Sequence, residues 1–148
     1  MTAFSKSSGT VISLQICPGH RKPMLFVKEA EAIENLGLIK DRHALPDSVR
    51  QILLIEKETL NALGLKSGDV KENITVEGIE LMSLVSSNRL RMGKDVVLEI
   101  TKTCSPCSRM EEIRPGLMRE LAGRRGILAR VVKGGIVHVG DTVQLVYQ

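Results

Sequence analysis

Aromatic residues are almost missing from this chain: its 148 residues include two Phe, one Tyr and no Trp. A function that stacks bases or rings on a row of aromatic side chains is therefore nearly excluded, and any core must be built from Val, Ile, Leu and Met. Long apolar runs are missing as well. No stretch approaches the roughly 18–20 apolar residues needed to span a bilayer, because Lys, Glu or Asp interrupts each one within a few positions. The opening residues 1–9 are polar, and Val11 to Ile16 is too short for the apolar region of a signal peptide. Together these absences predict a cytoplasmic protein with no membrane contact. Cysteine is scarce and odd in number, at three. In a chain this long, burial rather than disulfides supplies stability, so free thiols are expected. There is no linker-like stretch, and the length fits one domain, read here as residues 1–148.

What is present is a globular composition, 43% hydrophobic and 26% charged, with a formal net charge of +4. The excess cations gather at His20-Arg21-Lys22 and in the last quarter of the chain, at Arg114, Arg119, Arg124, Arg125, Arg130 and Lys133. The balance favours anionic partners, although most such charges in any protein belong to a solvated surface.

Short β-branched runs bounded by turns dominate the pattern. Gly9 to Ile16, Met24 to Val27, Arg50 to Ile55, Asn73 to Val76, Ile79 to Leu84, Val96 to Thr101, Ile127 to Val132, Ile136 to Val139 and Val143 to Val146 read as strands. Ala30, Ala32 and Ile33 fit either a helical turn or a ragged strand, and Gly37 to Pro46 reads as a loop. One short helix follows Glu56, with Leu60 and Leu63 on one face and Gly64 as its stop. A second runs from Pro115 through Leu121 to Gly123. The segments around Gly93-Lys94-Asp95 and Gly140-Asp141 echo each other, and each is expected to deliver a strand into the same sheet. The predicted architecture is mainly β: a closed or nearly closed barrel with two or more short helices, since closure removes edge strands that such Val- and Ile-rich runs would expose. Regular strand–helix alternation of a parallel sheet is not evident.

Cys104-Ser105-Pro106-Cys107 follows one strand and precedes the second helix, a strand exit where a rigid sheet can present a side chain to a cleft. Four readings compete. A zinc half-site lacks a partner pair, because Cys17, His20, His43 and His138 lie at no recognisable ligand spacing. A thioredoxin-like redox pair lacks the surrounding βαβ pattern. A single activated thiol at Cys107 draws support from Arg109, since cationic neighbours favour a thiolate that serves as nucleophile or soft metal ligand. The fourth is a buried, inert cysteine.

The order of Arg50-Gln51-Ile52-Leu53-Leu54-Ile55-Glu56, Gly68-Asp69-Val70-Lys71-Glu72-Asn73-Ile74-Thr75-Val76, Pro106-Cys107-Ser108-Arg109, Ala129-Arg130-Val131-Val132-Lys133-Gly134-Gly135-Ile136 and Gly140-Asp141 resembles the MOSC family, named after the C-terminal domain of molybdenum cofactor sulfurases. The likeness covers about residues 9–147, and stand-alone bacterial members are most similar. It implies a β-barrel whose Pro-Cys cysteine, here Cys107, carries sulfur as a persulfide or ligates molybdenum. Cys104 matches no family motif position. Leu38 to Ala44 is similar to the family's Gly-Asp-x-His segment, with Lys40 in place of the glycine and with Asp41 and His43 retained.

A molybdenum cofactor (molybdopterin) carries a dithiolene, a pterin edge and a phosphate. Its pocket wants a soft thiolate, amide or carboxylate groups, and guanidinium forks. Cys107 supplies the first as catalytic or metal-binding residue; Glu72 and Asn73 the second; Arg50, Arg109 and Arg130 the third, with Asp41 and His43 as further cofactor-binding candidates. The implied partners are a cysteine desulfurase or other sulfur donor, and the cofactor or a molybdoenzyme acceptor. In some family members the bound cofactor supports reduction of N-hydroxylated substrates. Here the electrons would come from outside, for want of ferredoxin-type cysteines or a nucleotide fingerprint. The alternatives are a basic barrel that binds nucleic acid, disfavoured because Phe4, Phe26 and Tyr147 are few and scattered, and a thiol-redox or zinc module built on Cys104 and Cys107.

Overall fold

The computed structural model describes residues 8–146. The elements run β1 (Ser8–Ile16), β2 (Leu25–Val27), β3 (Glu29–Ile33), β4 (Gly37–Leu38), β5 (Ile52–Glu56), α1 (Lys57–Ala62), β6 (Ile74–Glu77), β7 (Arg89–Met92), β8 (Val96–Thr103), α2 (Leu117–Glu120), β9 (Ile127–Lys133), β10 (Gly135–His138) and β11 (Thr142–Val146), with 3-10 turns at Leu81–Ser83 and Ser108–Glu112. Phe4 and Tyr147 lie outside the described residues.

Seven strands close on themselves in the order β1, β6, β5, β9, β8, β7 and β11, the last pairing back onto β1. This is the closed, mainly β barrel that the sequence predicts. β2 extends the sheet from the far half of β1, through Leu14↔Val27 and Ile16↔Leu25. β3, β4 and β10 form a separate three-stranded antiparallel sheet. Alternation sorts the side chains. On β8, Val96, Leu98 and Ile100 are buried in the barrel, whereas Val97, Glu99 and Thr101 are half-buried outside it. The turn echo seen in sequence is physical: β8 and β11 both flank β7, and a Cβ on Gly93 would lie 2.6 Å from Asp141 Oδ2.

β5 departs from this alternation, since Ile52 to Ile55 are all buried. Ile52 and Leu54 face the barrel core. Ile55 faces a second cluster with Leu60 of α1, Val70, Met110, and Leu117 of α2. Leu53 meets Cys104 and Leu128. Covering both faces is what a parallel pairing demands, and β5–β6 is parallel, with α1 in the crossover. One strand–helix–strand unit thus sits inside an otherwise antiparallel barrel.

Five sequence expectations change. Arg89–Met92, not read as a strand, pairs as β7 with β8 and β11, and Gly37–Leu38, read as part of a loop, pairs with β3 as β4. Ile79 to Leu84 forms no strand: Leu81 is buried and Leu84 N–H donates back to the Leu81 carbonyl at 3.0 Å, so the chain coils into a 3-10 turn. The ambiguous Ala30–Ile33 segment is a strand, because Ala30 and Ala32 find ladder partners in Val137 and Gly135 of β10. The second helix begins after Pro115 rather than at it, where Glu111 accepts the Gly116 and Met118 N–H groups at 2.8 Å each. No helix among the described residues is long and apolar enough to cross a membrane.

Candidate functional site

The site forms where β8 leaves the barrel and β9 begins. These strands pair as far as Thr103↔Ile127, and Cys104 N–H donates to the Gly126 carbonyl at 2.9 Å, so Cys104 and Arg125 reach the same end of the barrel. Gly126 makes this approach possible. Its φ is +116°, and a Cβ would stand 2.3 Å from the Leu54 carbonyl oxygen, a separation no side chain tolerates. Past Cys104 the chain stays extended to Cys107 (φ −117°, ψ 169°), which opens the 3-10 turn. Cys107 is exposed, whereas Cys104 and Cys17 are buried; all three are free thiols.

Cys107 borders a cleft of about 430 Å³. Arg21, Lys22, Arg42, Lys71, Arg109 and Arg125 line it, against the carboxylates of Asp69 and Glu112 alone. Arg21 and Glu112 pair at 3.2 Å across its rim. The cationic character reaches His20, whose ring accepts from Arg42 Nη1 at 3.0 Å. Partial desolvation, followed by the charges of Arg42, Arg109 and Arg21, lowers its pKa and favours the neutral ring. A smaller recess of about 110 Å³ adjoins the cleft, lined by Arg50, Asn73 and Cys104 together with His43, Lys71 and Arg125, the last three shared with the cleft.

A buried polar floor supports this end of the barrel. Asn73 Nδ2 donates to Asp41 Oδ1 at 3.0 Å and to the Gln15 carbonyl at 3.2 Å, while its Oδ1 accepts Leu53 N–H at 3.0 Å. Asp41 also accepts the backbone N–H groups of Cys17, at 2.7 Å, and His43, at 3.0 Å. His43 Nδ1 lies 3.5 Å from Asp41 Oδ2, and its ring faces the cleft. Lys40 takes the left-handed conformation (φ +69°) that a glycine would adopt freely, so the turn before Asp41 forms with a lysine in it.

Glu72 is fully buried behind the floor. Its Oε2 accepts Gly68 N–H at 2.8 Å and the Thr75 hydroxyl at 2.9 Å, and its Oε1 has no partner. Burial, only partly offset by these bonds, pushes the Glu72 pKa up. The polar atoms of Asn73 and Asp41, and half of the Glu72 carboxylate, are thus occupied inside the fold. Asn73 reaches the recess wall, but Glu72 does not line either hollow.

Of the arginines expected from sequence, Arg109 lines the cleft and Arg50 the recess. Arg130 does neither. It points outward from β9, where its Nε and Nη2 lie 2.9 and 2.8 Å from Glu99 Oε1, and Arg89 holds the other carboxylate oxygen. The group missed by sequence reading is Arg125. It is 6% exposed, donates from Nη2 to the Val70 carbonyl at 2.6 Å, and has no hydrogen-bond partner at Nε or Nη1. Desolvation lowers its pKa, against the opposing pull of Cys104, Glu72 and Cys107. The available signal was the Arg-Arg-Gly run immediately before β9, which reads equally well as a solvated pair of charges. Lys71, Arg42 and Cys17 are likewise brought to the cleft by folding alone.

Among the described residues no three His, Cys, Asp or Glu side chains group as metal ligands. The MOSC domain model matches residues 41–144. The fold is similar to that of the YuaD protein from Bacillus subtilis, with a TM-score of 0.84, 21% identity, and coverage of 95% of this chain and 97% of that one. It is also similar to YiiM from Escherichia coli, with a TM-score of 0.72, 16% identity, and coverage of 94% and 70%. YiiM from Geobacillus stearothermophilus gives a TM-score of 0.72 at 15% identity, over 94% of this chain and 75% of that one. No curated protein matches the chain. With a family model spanning most of its length and a barrel of the same shape, the chain belongs to the MOSC domain family.

Proposed function

We propose that this protein binds the molybdenum cofactor in the cationic cleft, with the Cys107 thiol at the metal end. The observation that carries the reading is the combination of an exposed thiol with a buried guanidinium, Arg125, that leaves two nitrogens without acceptors in the same cleft lining. A cleft of about 430 Å³ is in the size class that encloses most of a small ligand. A pterin bearing a phosphate and a dithiolene brings negative charge to a lining where cations outnumber carboxylates six to two. The chain's residues therefore fit the group. Cys107 offers a soft sulfur, and Arg109, Arg42 and Lys71 offer charge-assisted donors to the anionic end. Asn73 and Asp41 hold the floor rigid beneath it, since their polar atoms are already bonded within the protein. When bound, the cofactor supplies a redox-active molybdenum centre; reduction of N-hydroxylated substrates there would draw electrons from a partner protein.

The exposure of Cys107 favours a second use of the same sulfur. The Cys107 thiolate attacks the outer sulfur of a donor cysteine persulfide, a new S–S bond forms on Cys107, and the donor departs as a thiolate, with no net electron demand. A cysteine desulfurase is the class of donor that fits, and a molybdoenzyme or its cofactor the class of acceptor.

The test is anaerobic purification from a cofactor-producing host, with molybdenum, pterin and the mass of Cys107 measured before and after incubation with a desulfurase. The expected result is bound pterin with molybdenum, which Cys107→Ser retains poorly, or one added sulfur atom on Cys107 that the Ser variant never acquires. Protein with neither pterin nor persulfide would overturn the proposal.

A further inference from the structure

We infer that the small recess beside the cleft is a subsite for a tetrahedral oxyanion, gripped by Arg125 and Lys71, which it shares with the cleft, and by Arg50, which belongs to the recess. The inference goes beyond the cofactor reading, because Arg50, Leu53, Leu128 and Cys104 line the recess and not the cleft, and an ion held there requires no pterin. The recess measures about 110 Å³, roughly a quarter of the cleft's volume and room enough for a small polyatomic ion. Its cations approach from three parts of the chain: Arg50 just before β5, Lys71 before β6 and Arg125 before β9. Three converging positive groups match a dianion whose oxygens point in several directions better than a carboxylate, whose two oxygens share one edge.

The second observation is the state of Arg125. A guanidinium this deeply buried is ordinarily matched by a carboxylate or saturated with acceptors. Here the sole acceptor among the described residues is the Val70 carbonyl, and Nε and Nη1 have none. The nearby acid, Glu72, makes no ion pair with it, its Oε2 being occupied by Gly68 and Thr75. The recess is also lined by the buried cluster of Leu53, Leu128 and Cys104, which is apolar and keeps the local dielectric low, strengthening the attraction felt by an anion. His43, half-exposed and tied to Asp41, stands at the recess as a further donor. Arg50 makes no side-chain ion pair among the described residues and is exposed, so it can turn onto an incoming ion at little cost.

The experiment is titration calorimetry at fixed ionic strength, on protein from a host that makes no pterin cofactor, with inorganic phosphate, phenyl phosphate and acetate as probes. Wild type should bind phosphate saturably at one site and acetate not at all. Arg50→Gln, a change at an exposed position that leaves the fold alone, should weaken phosphate about tenfold or more. Arg125→Met, with folding checked by thermal melting, should abolish binding. Equal binding of phenyl phosphate means that the subsite receives the phosphate end of a larger molecule; binding of inorganic phosphate alone means a free ion, and either supports the inference. Absence of saturable binding to wild type, or phosphate binding unchanged in both variants, overturns it. Because pterin is absent throughout, neither result depends on whether the cleft takes the cofactor.

Discussion

Arg125 and Arg130 stand on neighbouring stretches of the same strand connection, yet their surroundings are opposite. On the outer wall, Glu99 lies between Arg89 and Arg130, with N–O separations of 3.2 and 2.8 Å, and the side chain of Arg130 is 45% exposed. At the cleft end, Arg125 is 6% exposed with two unpartnered nitrogens, and the buried Glu72 also lacks a partner on one oxygen. The outer network is well paired and, being wet, contributes little stability. The inner groups are poorly paired and dry, an arrangement that costs stability. Unbalanced charge beneath a concave, thiol-bearing surface is the feature on which the proposed cofactor and oxyanion sites rest.

The comparison can be broken or sharpened by mutation. The largest effect is expected at the floor: Asn73→Ala should lower unfolding free energy by about 2–4 kcal/mol, since it strands Leu53 N–H, the Gln15 carbonyl and one bond to Asp41 in a buried setting. Chemical denaturation measures it, and a loss below that of a surface change would mean water replaces the amide. Next comes pH. Burial raises the Glu72 pKa, so the folded state binds its proton more tightly than the unfolded chain does; this contribution is full below the ordinary carboxylate range and is lost as pH rises through the raised value. Stability should therefore fall with rising pH across that window, and Glu72→Gln should flatten the slope; parallel profiles for the two proteins would refute the assignment. Arg125→Met should melt within about 1 kcal/mol of wild type or slightly above it, because removing an unpaired buried charge relieves desolvation. A drop of several kcal/mol would reveal an unrecognised partner. The smallest change is expected for Arg130→Ala, under about 1 kcal/mol and diminished by salt.

Closure and most of the barrel strands were legible in the residue order because alternation at β8, β9 and β11 is a local property that survives folding unchanged; β7, only four residues long, was not. Leu81–Ser83 was not, because an apolar run reads alike whether it pairs in a ladder or coils over a core edge. The place of Cys107 between a strand end and a turn was legible, but its exposure was not, since Cys104 at the same exit is buried. The departure at Lys40 proved tolerable, since the surrounding turn holds a lysine where glycine would be free of strain. The arginines were the poorest guide. Nothing in the neighbourhood of Arg50, Arg109, Arg125 and Arg130 along the chain separates the three that line a hollow from the one that pairs on the wall.

The order of residues by itself determined that this chain would close a Val-, Ile- and Leu-filled barrel with a thiol at a strand exit, because periodicity, turn residues and cysteine placement act over a few neighbouring positions. Tertiary structure alone decided that Arg125 would be buried without a counterion, that Asn73 and Asp41 would turn inward, and that Lys71 would meet Arg50 at one recess. Charge has no period along a chain, and whether a cation is solvated, paired or left waiting depends on which distant segments the closed barrel brings beside it.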